Sequence, residues 1–404
     1  MNLADLHREN GDERAAHQQI ATAENEISKL HIEGPAKAEF LRIRAALKTS
    51  DGDLKGAEAD LLEARNLDPQ NTNVTLQYAN LLWKEQRKDE SRKAYEQILS
   101  GNPNNRFALE AMGYLYREDN NPKLAEQYFN QLAAAYPDDY VAYLALGDLY
   151  TQIKEFDKAD ASYQKAYKIA PQNPVVISNA ANAAIENQQI KLAGTWVNRA
   201  QGKTNDDPRV MRERERWLFH KGRYQESADL GYKVLQELPK DRNASVYLAY
   251  DLYDLGRYDD VLEVVNKYQA ILPQEPNFPL LAGHVHKHSD LLFESVNDYS
   301  DAIARDPRMT EAYVNRGYVL NDMQNAAQAS KDFNTALKLS PNNGIAHLGL
   351  AFSDLQLRRS KDALAHVDEA QKLMGESGAT HLVRVTAYRQ QRLLGSAEGN
   401  TPPR

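Results

Sequence analysis

The sequence predicts an all-α chain built as a solenoid of antiparallel helix pairs, and three observations carry that expectation. Proline recurs at Pro35, Pro69, Pro103, Pro137 and Pro171, then at Pro239, Pro273, Pro307 and Pro341, and each step is 34 residues or twice that. A fixed period of this length marks an array in which each unit is one supersecondary element. Inside each period lie two stretches with apolar residues at helical spacing, clearest at Tyr143, Leu146, Tyr150, Tyr163 and Ile169. Small residues then return in one register: Gly147 with Ala159 and Ala166, Gly113 with Ala125, Ala181 with Ala193 and Ala200, Gly317 with Ala329 and Ala336, Ala351 with Ala363 and Ala370. Paired helices approach closely only where such residues cross.

Taken from the amino end, Leu3-Ala4 and Ala16 read as the tail of one helix and the start of its partner. Residues 1–34 are therefore expected to form a truncated first repeat, with a long connection from Asn25 to Gly34. About ten tandem pairs follow over 35–378. Each proline stops a second helix, because its ring clashes with the preceding turn and it lacks an amide hydrogen. The polar pairs Gln70-Asn71, Asn104-Asn105, Asp138-Asp139 and Asn342-Asn343 come next and offer oxygens to cap the following helix. Gly222-Arg223-Tyr224 and Gly256-Arg257-Tyr258 mark the turn inside a pair. One proline is missing at Asn205, where Asp206, Asp207 and Pro208 supply a break three residues late. His381 to Leu394 reads as one further helix that caps the array over 379–394, and the tail 395–404 is expected to be disordered.

The 34-residue period has small residues at its eighth, twentieth and twenty-seventh places, proline at its thirty-second, and an aromatic at its twenty-fourth (Tyr95, Phe129, Tyr163, Tyr299, Phe333). This pattern resembles the tetratricopeptide repeat family over nearly the whole chain. The resemblance implies a right-handed superhelix whose concave wall is lined by the first helices. Glu215 and Gly231 depart from the pattern, so a distortion or a bend is expected between Pro208 and Pro239. Packing positions of this kind specify a fold and say little about function.

Composition narrows the function. Apolar residues make up 42% and charged residues 26%, the net charge is -8, and there is no cysteine. That excludes disulfides, thiolate metal sites and cysteine nucleophiles. Without a dense basic block, nucleic acid is not an expected partner. No apolar run is long enough for a membrane-spanning helix. The first residues lack a secretory signal, so the chain as written is expected in the cytoplasm; a fragment of a longer chain would leave a periplasmic or extracytoplasmic location open. Phosphate-binding glycine loops, nucleophile elbows and dinucleotide fingerprints are absent, and neither enzymatic activity nor a cofactor is expected.

The expected partner is another protein or an extended peptide, held by a monomer or a weakly self-associating chain. The places that line the wall in the family hold Asn80, Trp83, Tyr114, Asp148, Asn179, Asn182, Arg212, Arg216, Tyr247, Tyr250, Tyr253, His284, Lys287, Asn315, Tyr318, Asn321 and Phe352. Tyr247, Tyr250 and Tyr253 share a helical face and supply rigid contact area with a hydroxyl for specificity, or else pack as core. Arg209, Arg212 and Arg216 share a face that suits carboxylates, or else pair with Asp207, Glu213 and Glu215. The asparagines can hold a peptide main chain, because an amide donates and accepts at once. Lysine clamps for chaperone tails are not supported, since Leu76, Leu144 and Val246 stand at fifth places. His284 and His288 share a face while His286 points away, which makes a poor metal site. A rival reading makes the chain the substrate-recruiting arm of a larger enzyme or export assembly.

Overall fold

The computed structural model describes residues 13–398, and every regular element among them is a helix. α1 spans Glu13–Lys29. Ten pairs follow, each a first helix and a shortly connected second one. In the first unit these are α2 (Pro35–Asp51) and α3 (Leu54–Leu67), α4 (Thr72–Lys84) and α5 (Lys88–Gly101), α6 (Arg106–Glu118) and α7 (Pro122–Ala135), α8 (Tyr140–Gln152) and α9 (Phe156–Ile169), α10 (Pro174–Glu186) and α11 (Ile190–Val197). The second unit begins after Thr204. It holds α12 (Pro208–His220) and α13 (Tyr224–Glu237), α14 (Arg242–Asp254) and α15 (Tyr258–Ile271), α16 (Asn277–His288) and α17 (Leu292–Arg305), α18 (Thr310–Asp322) and α19 (Ala326–Leu339), α20 (Gly344–Gln356) and α21 (Ser360–Met374), and finally α22 (Gly378–Glu398).

The repeat chemistry follows the sequence closely inside each pair. A Cβ on Gly113, Gly147, Gly283 or Gly317 would run into the ring of Phe129, Tyr163, Tyr299 or Phe333, so the eighth place must be small where the twenty-fourth is aromatic. Where the twentieth place is serine, its buried hydroxyl donates to the eighth-place carbonyl: Ser91 to Ala79, Ser227 to Glu215 and Ser295 to Gly283, at 2.8–3.0 Å. The second member of each polar pair caps its helix; Asn71 Oδ1 accepts from Val74 N, Asn105 from Ala108 N, Asp139 from Val141 N and Asn343 from Ala346 N.

Every pair turns through a left-handed residue at one place of the period. Only Gly52, Gly222 and Gly256 are glycines there; Gln86, Asn120, Lys154, Gln188, Asp290, Gln324 and Arg358 hold φ of 54–62°. The amide that follows each donates back five residues, as Arg87 N does to Leu82 O and Arg359 N to Asp354 O. That bond closes a Schellman-type end and holds a conformation that costs a side-chain-bearing residue about 1–2 kcal/mol.

Several boundaries differ from the sequence expectation. The connection before α2 narrows to residues 30–34, because Asn25–Lys29 belong to α1; Leu3 and Ala4 lie outside the described residues. Regular helices α12 and α13 span the segment where distortion was expected. Bulk is exchanged there: Gly231 replaces the aromatic, and the Glu215 side chain fills the space from the other helix. The irregularity comes one repeat earlier, where α11 stops at Val197 and leaves Ala200 outside a helix. Gln172 accepts from Gln201 N at 3.0 Å and donates to Arg199 O, tying the following segment to the preceding turn. At the carboxyl end α22 continues past Leu394 to Glu398, so the expected tail begins inside a helix, and 399–404 lie outside the described residues.

Candidate functional site

First helices touch the first helices of neighbouring pairs: α2 with α4 and α8 with α10 in the first unit, and α12 with α14, α14 with α16, α18 with α20 and α20 with α22 in the second. No comparable contact joins consecutive second helices among the described residues. Within each unit the first helices therefore form the inner side of the stack, where a repeat array presents its binding surface.

In the first unit the expected wall residues are largely engaged with their neighbours. Trp83 Nε1 donates to Glu118 Oε2 at 3.0 Å, and Asn80 accepts from the Tyr95 hydroxyl. Tyr114 stands edge-on to Phe129 with the Arg117 guanidinium 4.9 Å above its ring, and burial pushes its hydroxyl up to about 12. Asn179 donates to Asp148 Oδ1 at 2.9 Å, an oxygen that also accepts from Tyr163. Burial raises the Asp148 carboxyl above the usual range despite those two donors. Asn182 donates to Glu186 at 3.0 Å. A cleft of about 590 Å³ opens beside α2 and α4, lined among others by Arg42, Asn73, Gln77, Asn80, Lys84 and Phe107. Phe107 is 60% exposed. Arg42, Gln77 and Phe107 stand at fifth, sixth and second places, so the rule that selected Tyr114 also selects them; sequence reasoning passed them over.

In the second unit the arginines are paired internally. Arg212 meets Glu213 and Asp241, both at 3.1 Å, Arg216 meets Glu213 at 2.6 Å, and Arg209 meets Asp207 at 2.9 Å. The expected pairing with Asp207 and Glu213 is present, whereas Glu215 takes no part in it and Arg212 pairs with Asp241 instead. Asn321 does not reach the surface: it is 5% exposed, donates to Gly349 O at 3.1 Å and accepts from Ser353 at 2.9 Å, so it is a core amide.

Tyr247, Tyr250 and Tyr253 on α14 are all half-buried. Each packs on neighbouring rings while part of its surface stays exposed. Tyr247 lies 5.0 Å from Phe219, and Tyr250 lies 6.3 Å from the same ring with its hydroxyl donating to Asn277 at 3.1 Å. Tyr253 lies 5.5 Å from Tyr258 and 5.7 Å from His284. Burial raises the hydroxyls of Tyr250 and Tyr253. Tyr318 continues the same chemistry on α18, edge-on to Phe333 at 5.2 Å, its hydroxyl donating to Ile345 O; Asn315 beside it is half-buried.

His284 contacts the Tyr299 hydroxyl at 3.3 Å, His286 contacts Asp298, and the His288 ring lies 4.4 Å from that of Tyr258, tilted by 44°. The three histidines thus have three separate environments. Among the described residues no group of three histidine, aspartate or glutamate side chains converges on one point, and no helix is long and apolar enough to cross a membrane.

Family models described as tetratricopeptide repeat match residues 49–112, 110–174 and 310–343. These are tetratricopeptide repeats. Tetratricopeptide repeats build protein-interaction scaffolds, and that general role is the one the chain's architecture supports. The chain is similar to DnaJ homolog subfamily C member 3 of Gallus gallus, at 25% identity over 328 residues, which is 79% of this chain and 62% of that protein. It thus spans less than two thirds of that relative. Among solved structures it is similar to yeast Tom70, at 16% identity over 98% of both chains with a TM-score of 0.48. It is also similar to a thermophilic tetratricopeptide protein of Thermus thermophilus, at 20% identity over 45% of this chain and 99% of that one, with a TM-score of 0.37.

Proposed function

We propose that the chain is an adaptor without chemistry of its own, which holds an extended peptide or partner surface against the first helices of its second unit. Tyr247, Tyr250 and Tyr253 form the contact centre, with His284, Asn315 and Tyr318 beside them. The supporting observation is a run of half-exposed rings fixed by one another: Tyr247 and Tyr250 against Phe219, Tyr253 against His284. Rings already held by neighbours lose little conformational freedom when a partner covers them, which is why tyrosine dominates contact energetics at interfaces. The arginines of α12 contribute the frame rather than the contact, because their carboxylate partners are in place before any ligand arrives.

The test is capture of partners on immobilised chain, wild type beside a Tyr247→Ala, Tyr250→Ala, Tyr253→Ala variant, with circular dichroism on both. Capture by wild type and loss by a variant of unchanged helicity is the expected result. Loss of helicity in step with capture would return the three tyrosines to the core.

A further inference from the structure

The pair α20 and α21 brings together two histidines that lie apart from His284, His286 and His288 in the chain. His347 on α20 and His366 on α21 are both half-buried, with ring centroids 5.6 Å apart and planes tilted by 31°. Their Nδ1 atoms face each other at 3.3 Å. Beyond each ring stands an oxygen: Pro341 O lies 3.3 Å from His347 Nε2, and Asp354 Oδ2 lies 3.9 Å from His366 Nε2. Asp354 is 4% exposed, and its Oδ2 has no hydrogen-bond partner among the described residues. A buried carboxylate oxygen so placed calls for a donor.

Counting protons shows what the pair lacks. A neutral imidazole carries one N–H and one lone pair. The Pro341 carbonyl and the Asp354 carboxylate are both acceptors, so the two N–H groups belong on the two Nε2 atoms. Both Nδ1 lone pairs then face the same gap. Moving either N–H to Nδ1 fills the gap, but it sets a lone pair against Pro341 O or Asp354 Oδ2. Three contacts call for three donors and the neutral pair supplies two, which leaves the place of a cation, either a proton or a metal ion. The dimensions suit the metal. Two nitrogens each about 2.0–2.1 Å from a tetrahedral zinc ion lie about 3.3 Å from one another. A metal-ligating histidine donates its other N–H to a carboxylate or a backbone carbonyl, and these two rings are backed by one of each.

We propose that His347 Nδ1 and His366 Nδ1 bind a divalent transition-metal ion of the zinc class, which clips α20 to α21. Two half-exposed imidazoles leave the other coordination positions to water, so the site needs no third side chain. It shares no residue with the tyrosine wall, and either reading can fail alone. The probe is zinc chloride, titrated by calorimetry into the full, untagged, metal-stripped chain at pH 8, where imidazole is neutral and a proton in the gap is disfavoured. One saturable zinc per chain is expected, with a rise in melting temperature at saturating metal. His347→Ala and His366→Ala should each weaken binding about tenfold or more and remove that rise, whereas His381→Ala, at an exposed position, should change neither. Imidazole nitrogen NMR of the wild type reads the site without any substitution: zinc should move the Nδ1 signals of both residues and leave the protons on Nε2. Absence of saturable binding, or equal affinity in wild type and both histidine variants, would overturn the proposal. So would Nδ1 signals unmoved by zinc, or an Nδ1 proton that persists in the metal-free chain at pH 8, which would give the gap to a proton.

Discussion

Glu215 and Asp251 offer the sharpest energetic test of the structure. Both are fully buried, and none of their four carboxyl oxygens has a hydrogen-bond partner. Glu215 faces Asp251, Asp241 and Glu213, with Arg212 as the opposing charge; Asp251 faces Asp254 and the Ser227 hydroxyl. Burial pushes the Glu215 carboxyl well above its ordinary range, and lifts Asp251 from 3.8 to about 7. A raised acid binds its proton more tightly in the folded chain. Between about pH 4 and pH 7 the native state therefore holds more protons than the unfolded one, and stability falls as pH rises through that window. Three pH units for Asp251 set a ceiling of about 4 kcal/mol on the loss. Each unpartnered neutral carboxyl costs a further 1–3 kcal/mol or so at any pH.

The perturbation is Glu215→Met with Asp251→Leu, which removes both carboxyls at similar volume. Urea unfolding followed by circular dichroism at pH 5 and pH 8 reads the effect. Stabilisation is expected at both values, roughly 2–6 kcal/mol at pH 5 and up to about 3 kcal/mol more at pH 8. An equal effect at the two pH values, or a variant less stable than wild type at both, would refute the reasoning and mean that these carboxyls are satisfied in solution.

Three further tests probe the repeat itself. Lys154→Gly or Gln324→Gly relieves a left-handed backbone at φ of 62° or 61° and should raise the melting temperature, by a free energy of about 0.5–1 kcal/mol. Gly317→Val forces side-chain atoms into the Phe333 ring, whose nearest atom lies 2.8 Å from the place a Cβ would take, and should cost about 1–3 kcal/mol in denaturant unfolding. Arg316→Met strips Asp332, 3% exposed, of its bidentate partner at 2.8 Å; a loss of about 3–5 kcal/mol is expected, largely restored when Asp332→Leu is added.

What was legible in the sequence follows from where each signal resides. Helix pairing and capping depend on residues within one period, so Gly147 with Tyr163, or Asn343 ahead of α20, could be read directly. The left-handed turns could not: glycine announces only Gly52, Gly222 and Gly256, while at Lys154 and Arg358 the surrounding helix ends impose the conformation on residues that do not favour it. Glu215 and Gly231 stood out as departures, yet an exchange of bulk between two helices is visible only once both are placed. The same holds for the wall. Pairing of Arg212 and Arg216 was foreshadowed by the adjacent Glu213, whereas the burial of Asn321 depends on Gly349 and Ser353 of the next repeat, and the engagement of Asn179 on Asp148 of the previous one.

The claim that first helices carry the contact is tested most directly by photo-crosslinking. Benzoylphenylalanine is placed at Tyr247, or at Tyr232 on the second helix α13, where the native tyrosine is 40% exposed. A partner crosslinked from position 247 and not from 232 is the expected result; crosslinking from 232 alone would move the binding surface to the second helices and contradict the proposed wall.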